Sequence, residues 1–416
     1  MNTRLCLINI GDELLKGRIV NTNASNAGLL LRKHGFSFSR VVVIADDAAS
    51  IERAVREEMA THEVVIMSGG LGPTEDDITK QTLARLFETE LEWDQATLDF
   101  LEKRYAERQR ALTERTRRQA MLPANCEIIP NERGTAPGMG FEKDGKRLYS
   151  LPGVPYEMLN MLEKEIIPRI QQHYDMGFYD HRSLRLGMVA ESQIAHRMEA
   201  LQDEWPAGVS MAYLPRLDGL RLELSISQEK DRAQLDHCWQ QIQTLFAAES
   251  YAEGEQSIPE LLGESLRKSG LSLAIAESLT GGSMAAKVVS VSGASAYFKG
   301  SVTAYDVQVK IDVLGVNLET IEQDSVVSEA VACQMAEGVR KLLGADIGLA
   351  TTGIAEKSAT ETARAWLAYA DAEGCQTELV HFLHNRTVNI ERASNTLLIQ
   401  CLKNVNAYIE GESDFA

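Results

Sequence analysis

Residues 64–72 read VVIMSGGLG, an apolar run stopped by Gly69, Gly70 and Gly72, and the chain then resumes with helical spacing at Ile78, Thr82, Leu83 and Leu86. A strand that ends in glycines and leads into a helix is a junction of an α/β sheet, which narrows the fold more than any other stretch of the chain. The glycines let the backbone turn tightly, and the free N–H groups of such a turn attract an anion, most simply a phosphate. Asp76 and Asp77 stand where the first helical turn is expected, able to cap the helix or to hold a divalent cation against phosphate oxygens. An ordinary capped helix after a glycine turn is the plainer reading of the same residues.

The flanking chain repeats the pattern. Residues 3–10 (TRLCLINI) form an apolar run ended by Gly11, with Asp12 and Glu13 next, and residues 40–45 (RVVVIA) end in Asp46 and Asp47. Helical spacing follows both runs, so three strands alternate with helices and predict a doubly wound parallel sheet. Ligands gather outside the carboxyl ends of such strands, which places Asp12 and Glu13 beside the glycine turn. Asn23 or Ser25 fits as an N-cap of the helix after Asp12, and Asn23 equally fits a ligand contact. Residues 93–121 read as one charged helix carrying Arg115, Arg117 and Arg118, either a solvated face or a clamp on a phosphate. A turn-rich stretch at 130–140, a strand at 148–151 and a helix from Glu157 to about Tyr174 complete this part.

Residues 183–228 give a strand, a short helix and two alternating strands, with a helix at 230–247, and suit a spacer or dimerisation module in which His196 lies on a helix surface. Residues 251–258 read as a linker, and a second α/β pattern begins with a helix at 259–268. The strand LSLAIA runs into Glu277, Ser278, Leu279, Thr280, Gly281 and Gly282, a second strand–glycine–helix junction. Beyond it, Ser295, Tyr305 and Lys310 are spaced so that a serine loop, a strand end and a helical turn can converge. A lysine desolvated beside a serine can serve as its general base. The chain ends in an amphipathic helix, residues 385–409, with Arg386 and Arg392 near its start.

At 416 residues the chain exceeds one ordinary core, and 44% hydrophobic with 25% charged residues is a globular balance. The 60 acidic against 42 basic residues leave a net charge of −18, which argues against coating nucleic acid or an anionic membrane. A small phosphate-bearing ligand is compatible with that charge, because a local loop can reverse the sign. Six scattered cysteines without metal-type spacing predict reduced, mostly buried thiols, and the lack of a leader-like start or a long apolar span predicts a cytoplasmic protein.

Four ordered blocks, GDELLKGRIVNTNA, SGGLGPTEDD, RGTAPG and LPGVPYEM, resemble the N-terminal domain of the competence/damage-inducible CinA proteins, related in fold to molybdopterin-binding domains. AESLTGG, SGASAYFKGSVTAYDVQVK, VLGV, VSEAVACQMAEGVRK and TTGIA resemble the C-terminal CinA domain, a nicotinamide mononucleotide amidohydrolase. The resemblance implies three parts: a molybdopterin-binding-like domain at 1–175, a small α+β KH-like connection at 176–252 and an α/β CinA domain at 258–414. It implies metal-dependent hydrolysis of ADP-ribose to AMP and ribose 5-phosphate in the first domain. There Gly69, Gly70, Gly72, Thr74 and Asn23 would bind substrate and Asp12, Glu13 and Asp76 a divalent cation (Mg, Mn or Co), with a monovalent cation as an option. Asp77 joins the catalytic groups, although the match does not fix which carboxylate is the base.

In the last domain the resemblance puts the nucleophile at Ser295 and its activating partners at Tyr305 and Lys310, with Ser278, Thr280, Gly281 and Gly282 around the substrate. It implies conversion of nicotinamide mononucleotide to nicotinic acid mononucleotide and ammonia, in a homodimer. Leu279 replaces the family's small polar residue, Tyr305-Asp306-Val307 replaces its YSN, and the family's glycine-rich loop is here TGIAEKSATETA, so this second activity is expected to be impaired. The competing expectation is a non-catalytic molybdopterin-like or nucleotide-binding protein linked to competence or the DNA-damage response.

Overall fold

The computed structural model describes residues 3–74, 77–174, 177–187, 189, 191–202 and 205–413. The chain divides into two compact units, Met1–Tyr179 and Asp180–Ala416.

In the first unit, strands β1 (Leu5–Ile10), β2 (Phe38–Ile44), β3 (Val64–Ser68), β4 (Leu91–Trp93), β5 (Met121–Pro123), β6 (Glu127–Ile129), β7 (Gly138–Lys143) and β8 (Lys146–Leu151) follow one another. Six of them form one sheet in the order β2-β1-β3-β8-β7-β6, and β4 pairs with β5 apart from it. The neighbours β2, β1, β3 and β8 run parallel, whereas β7 and β6 join antiparallel. The expected doubly wound sheet is present with an antiparallel extension that the sequence reading lacked.

Every residue of β1 and β3 is buried, because helices cover both faces. Leu5, Leu7, Val64 and Ile66 pack with Leu31 of the helix Thr22–Lys33 and with Met158 and Ile166. Cys6, Ile8, Val65 and Met67 pack on the other side with Ile51 and Val55 of the helix Ala48–Thr61 and Leu83 of the helix Thr79–Leu86. The single long helix expected over 93–121 is broken instead into Gln95–Glu107 and Glu114–Arg117, bracketed by β4 and β5. Asp94 and Thr113 accept the caps of the two helices, and such side-chain caps start new helices rather than continue one.

In the second unit, β9 (Asp180–Leu186), β10 (Val209–Arg216), β11 (Gly219–Ile226) and β12 (Ser250–Glu253) form an antiparallel sheet in the order β10-β11-β9-β12. Residues 251–253 of the expected 251–258 linker are therefore edge strand, and Ser257 with Glu260 forms a capping box that starts the helix Ile258–Ser269. Strands β13 (Leu273–Glu277), β14 (Phe298–Thr303), β15 (Ile347–Ile354), β16 (Arg364–Ala370) and β17 (Cys375–His381) make a second sheet in the order β14-β13-β15-β16-β17. Leu273, Ile275 and Leu349 face a core with Leu262, Leu397 and Leu402, while Ala274, Ala276 and Ala350 face Val331, Met335 and Val339 of the helix Glu329–Leu343.

Cys333 on that helix and Cys375 at the start of β17 form a disulfide across 42 residues, with their Cα atoms 6.0 Å apart. This corrects the expectation of reduced thiols throughout. Packing of the helix on the sheet brings the two cysteines together, which their spacing along the chain does not reveal. Cys6, Cys126, Cys238 and Cys401 are free thiols. Among the described residues, no helix is long and apolar enough to cross a membrane.

Candidate active sites

The first site lies where β1, β2 and β3 end. After Ile10 the chain turns at Gly11, whose N–H bonds Ile44 O at 3.1 Å, and makes a one-turn helix, Asp12–Leu15. The Asp12 carboxylate takes the Lys16 ammonium at 2.5 Å, and that hydrogen bond, helped by the Lys16 charge and by the Asp46 amide, holds it below the usual carboxylate range. Asp46 in turn approaches the glycine turn: a Cβ placed on Gly70 would stand 3.5 Å from its Oδ1 and 2.1 Å from Thr79 Oγ1. Gly70 has φ +65°, so both its backbone and its surroundings exclude a side chain. Asp12 and the glycine turn thus share one end of the sheet, with Asp46 between them, a residue that the sequence reading set at a strand end but gave no part in the site.

Asp77 does not sit in a first helical turn, because the helix begins at Thr79 with Ile78 as its uncapped start. Instead its Oδ2 accepts from Thr74 N at 2.8 Å and from the Thr74 hydroxyl, and lies against Gly72. Gly72, Thr74 and Asp77 therefore form one closed turn. Asp76 lies outside the described residues. Among the described residues, Asp12 and Glu13 are not drawn into a tight three-ligand cluster.

Asn23 is not the N-cap of its helix; Asn21 is, accepting from Ala24 N at 3.1 Å. Asn23 is buried and donates to Ser68 Oγ at 2.9 Å and to Gly153 O at 2.8 Å, which ties the helix to the β3 end and to the loop after β8. Its Oδ1 and the Nδ2 of Asn9, which stands opposite Ser68 in the ladder, are buried without a hydrogen-bond partner. Orphaned polar atoms beside a glycine turn are what an incoming polar ligand can satisfy. On the loop's other flank Arg115 Nε donates to Pro73 O at 2.6 Å, and Lys80 Nζ to Arg118 O at 2.9 Å. Burial pushes the Lys80 ammonium down to about 8 against the raising effect of Asp77. Lys80 was not singled out by its sequence context.

The second site is built around Lys310, which is 1% exposed. Its Nζ donates to Ser278 Oγ at 3.0 Å and to the carbonyls of Ala304 at 2.5 Å and Tyr305 at 3.3 Å. Desolvation lowers its pKa, with Asp306 pulling the other way. The lysine expected to serve Ser295 is therefore bonded to Ser278. Ser295 lies exposed on the turn Ala294–Ala296, and no hydrogen bond joins it to Tyr305 or Lys310. Tyr305 is 63% exposed and accepts from Arg386 at 3.1 Å.

Thr280 bonds Thr351 at 2.8 Å, closing the junction after β13 onto β15. The buried Glu277 carboxylate accepts from the amides of Gly282, Met284 and Ala285 at 2.9–3.1 Å, so the start of the helix Ser283–Val289 already holds an anion. Gly282 N, expected to meet substrate, is thereby engaged. The loop after β15 is mostly exposed between the buried Ala355 and Ala363, and Asn389 fastens Ala355 O at 2.9 Å and His384 O at 2.7 Å.

Comparison with known proteins agrees with this two-part layout. Residues 6–172 match the model of a probable molybdopterin binding domain, and residues 255–405 match that of the CinA C-terminal domain. A CinA-like protein of Flavobacterium psychrophilum is 35% identical over 408 residues, 96% of this chain and 98% of that protein. One of Cytophaga hutchinsonii is 36% identical over 407 residues, 96% of this chain and 97% of its own length. A crystal structure of the protein CinA with unknown function from Thermoplasma acidophilum is 37% identical, covers 41% of this chain and 97% of that one, and has a TM-score of 0.37.

Proposed function

This chain belongs to the CinA family, and from that premise we propose that it is a nucleotide-recycling hydrolase with two centres, an ADP-ribose pyrophosphatase in the first unit and a nicotinamide mononucleotide amidohydrolase in the second. The reading of the first centre is carried by the meeting of Asp12, Asp46 and the Gly69–Gly70 turn at one end of the sheet. The Gly69 N–H is taken by Leu151 O at 3.1 Å, so the amides from Gly70 to Gly72 would be the ones to bind the diphosphate, and Asn9 and Asn23 offer an unpartnered donor and acceptor to the ligand's polar groups. An all-carboxylate set of Asp12, Glu13 and Asp76 suits a hard divalent cation such as Mg or Mn, and the ionised state of Asp12 fits that use. When bound, such a cation offsets charge developing on the diphosphate. Asp77, held through Oδ2 by Thr74, keeps Oδ1 to accept a proton from the attacking water.

The second centre rests on the 3.0 Å contact between Lys310 and Ser278. In the neutral form favoured by desolvation, Lys310 takes the proton of Ser278 Oγ as that oxygen attacks the carboxamide carbon. The carbon–nitrogen bond then breaks, the proton leaves with ammonia, and water hydrolyses the acyl-serine. This makes Ser278 the nucleophile in place of Ser295, which the resemblance had suggested. Arg386, set beside Tyr305, supplies a cation for the ligand's phosphate.

ADP-ribose and nicotinamide mononucleotide, incubated separately with the protein and a panel of Mg, Mn and Co salts, test the two halves. AMP with ribose 5-phosphate is expected from the first and ammonia from the second. ADP-ribose left intact under every metal ends the pyrophosphatase reading. Glycine-free residues 355–362 favour a second reading for the C-terminal half alone, a nucleotide-binding domain with little turnover. Binding of the mononucleotide without ammonia release would select it.

A further inference from the structure

Cys6, Glu58 and His62 are all buried, at 0%, 3% and 6% exposure, and their thiol sulfur, carboxylate oxygen and imidazole nitrogen lie within 4.8 Å of one another. Cys6 is the second residue of β1, and its side chain belongs to the core on which the helix Ala48–Thr61 packs. Glu58 lies in the last turn of that helix, and His62, four residues on, is its extended C-cap, whose N–H bonds Glu58 O at 2.9 Å and keeps the two side chains together. Ile10 lies four residues beyond Cys6 along the strand, roughly 13 Å, which sets this cluster at the end of β1 away from Asp12.

The carboxylate is only half accounted for. Arg40 Nε reaches Glu58 Oε1 at 3.1 Å, whereas Oε2 is buried without a well-formed hydrogen bond, and the carboxylate's other neighbours are the Cys6 thiol and the His62 imidazole. His62 Nδ1 stands 3.2 Å from that oxygen and is itself 3.1 Å from Glu58 O and 3.0 Å from Thr61 Oγ1. A buried carboxylate oxygen that no well-formed hydrogen bond reaches is costly unless something else satisfies it. Zinc bonds of about 2.0–2.3 Å to oxygen, nitrogen and sulfur give a tetrahedron with edges of roughly 3.4–3.7 Å, so a 3.2 Å oxygen–nitrogen separation is close to one that a single ion can bridge. The end of a helix also carries partial negative charge, which favours a cation there.

We propose that Cys6, Glu58 and His62 form a structural site for a thiophilic divalent cation of the zinc class, clamping the helix Ala48–Thr61 to the buried strand β1. One thiolate and one carboxylate balance the charge of the ion, the imidazole supplies a neutral third ligand, and Thr61 Oγ1 or a water fills the fourth position. On binding, the thiol proton passes to solvent as the sulfur–metal bond forms. Arg40 orients the carboxylate from outside.

The test is cobalt titration of the full-length protein after removal of metal by a chelator. A thiolate-to-cobalt charge-transfer band saturating at one equivalent, and bleached by zinc, is expected. Only a sulfur ligand gives that band, so a cation at the Asp12 carboxylates does not mimic it. Cys6→Ser should abolish the band, Cys238→Ser should leave it, and His62→Gln and Glu58→Gln should each weaken zinc binding by more than about tenfold. No band in the wild-type protein, or a band that persists in Cys6→Ser, overturns the proposal. Should Cys6→Ser fail to fold, unchanged zinc affinity in both His62→Gln and Glu58→Gln overturns it equally.

Discussion

Lys310 Nζ and Ser278 Oγ, 32 positions apart in the chain, meet at 3.0 Å beneath the carbonyls of Ala304 and Tyr305. Ser295, whose position in the sequence resembles a nucleophile's, has no such neighbour. Ser278→Ala is therefore expected to reduce ammonia release from nicotinamide mononucleotide by about three orders of magnitude or more. Ser295→Ala should retain the larger part of it. A continuous ammonia assay decides between them, and the opposite ranking would return the nucleophile to Ser295.

The acid limb of that activity should follow Lys310, since the base works only when deprotonated. Burial lowers its pKa and the Asp306 charge raises it. Asp306 also caps the helix Val307–Asp312 through Gln308 N at 2.8 Å, a role that asparagine can keep. Asp306→Asn removes the charge without the cap, so Lys310 loses its proton at lower pH and kcat/KM should rise at lower pH than in the parent. A profile that stays in place or moves to higher pH refutes Lys310 as the base.

Asn23 joins three segments through its bonds to Ser68 and Gly153. Asn23→Ala leaves the Ser68 and Gly153 oxygens without this donor and should destabilise the first unit by about 1–3 kcal/mol in urea unfolding. If the residue serves the ligand as well, KM for ADP-ribose rises in the same variant at temperatures where it is fully folded.

The Cys333–Cys375 bond closes a loop of 42 residues. By the loss of chain entropy in the unfolded state, reduction or Cys375→Ser should lower the stability of the second unit by about 4 kcal/mol. Denaturant midpoints with and without dithiothreitol check this. Identical midpoints would mean that the bond does not persist in solution.

Glycine substitution gives a sharper check on the first site. Gly70→Ala puts a methyl group 2.1 Å from Thr79 Oγ1 at a backbone angle of +65°, so the turn must open. Loss of ADP-ribose turnover together with a destabilisation of about 1–3 kcal/mol is expected, and full turnover would remove the turn from the site.

The glycine turn, the buried strands and the acids at their ends were readable because local chemistry alone produces them: a continuous apolar run must be covered on both faces, and glycines must stop it. Strand β7 is not legible in the sequence because Gly138 and Gly140 break its apolar alternation inside a turn-like stretch. The helix break near Thr113 depended on a short cap hidden within a charged run. Ser278 with Lys310, Cys333 with Cys375, and Cys6 with His62 share another obstacle. Each pair is made by the packing of separate elements, and spacing along the chain carries no trace of it. Asp46 is legible at its strand end, but its approach to Gly70 depends on how the ends of β2 and β3 lie on either side of β1.

Glu277 gives the domain that follows β13 a resident counter-ion. Because its carboxylate fills the cradle of three amides, the mononucleotide proposed for this half would find that berth taken and would rely for its phosphate on an exposed charged side chain such as Arg386 instead. On that reading, selectivity in this half of the molecule would rest on replaceable side chains rather than rigid main chain, the part of a protein that can drift to new guests without disturbing the scaffold beneath.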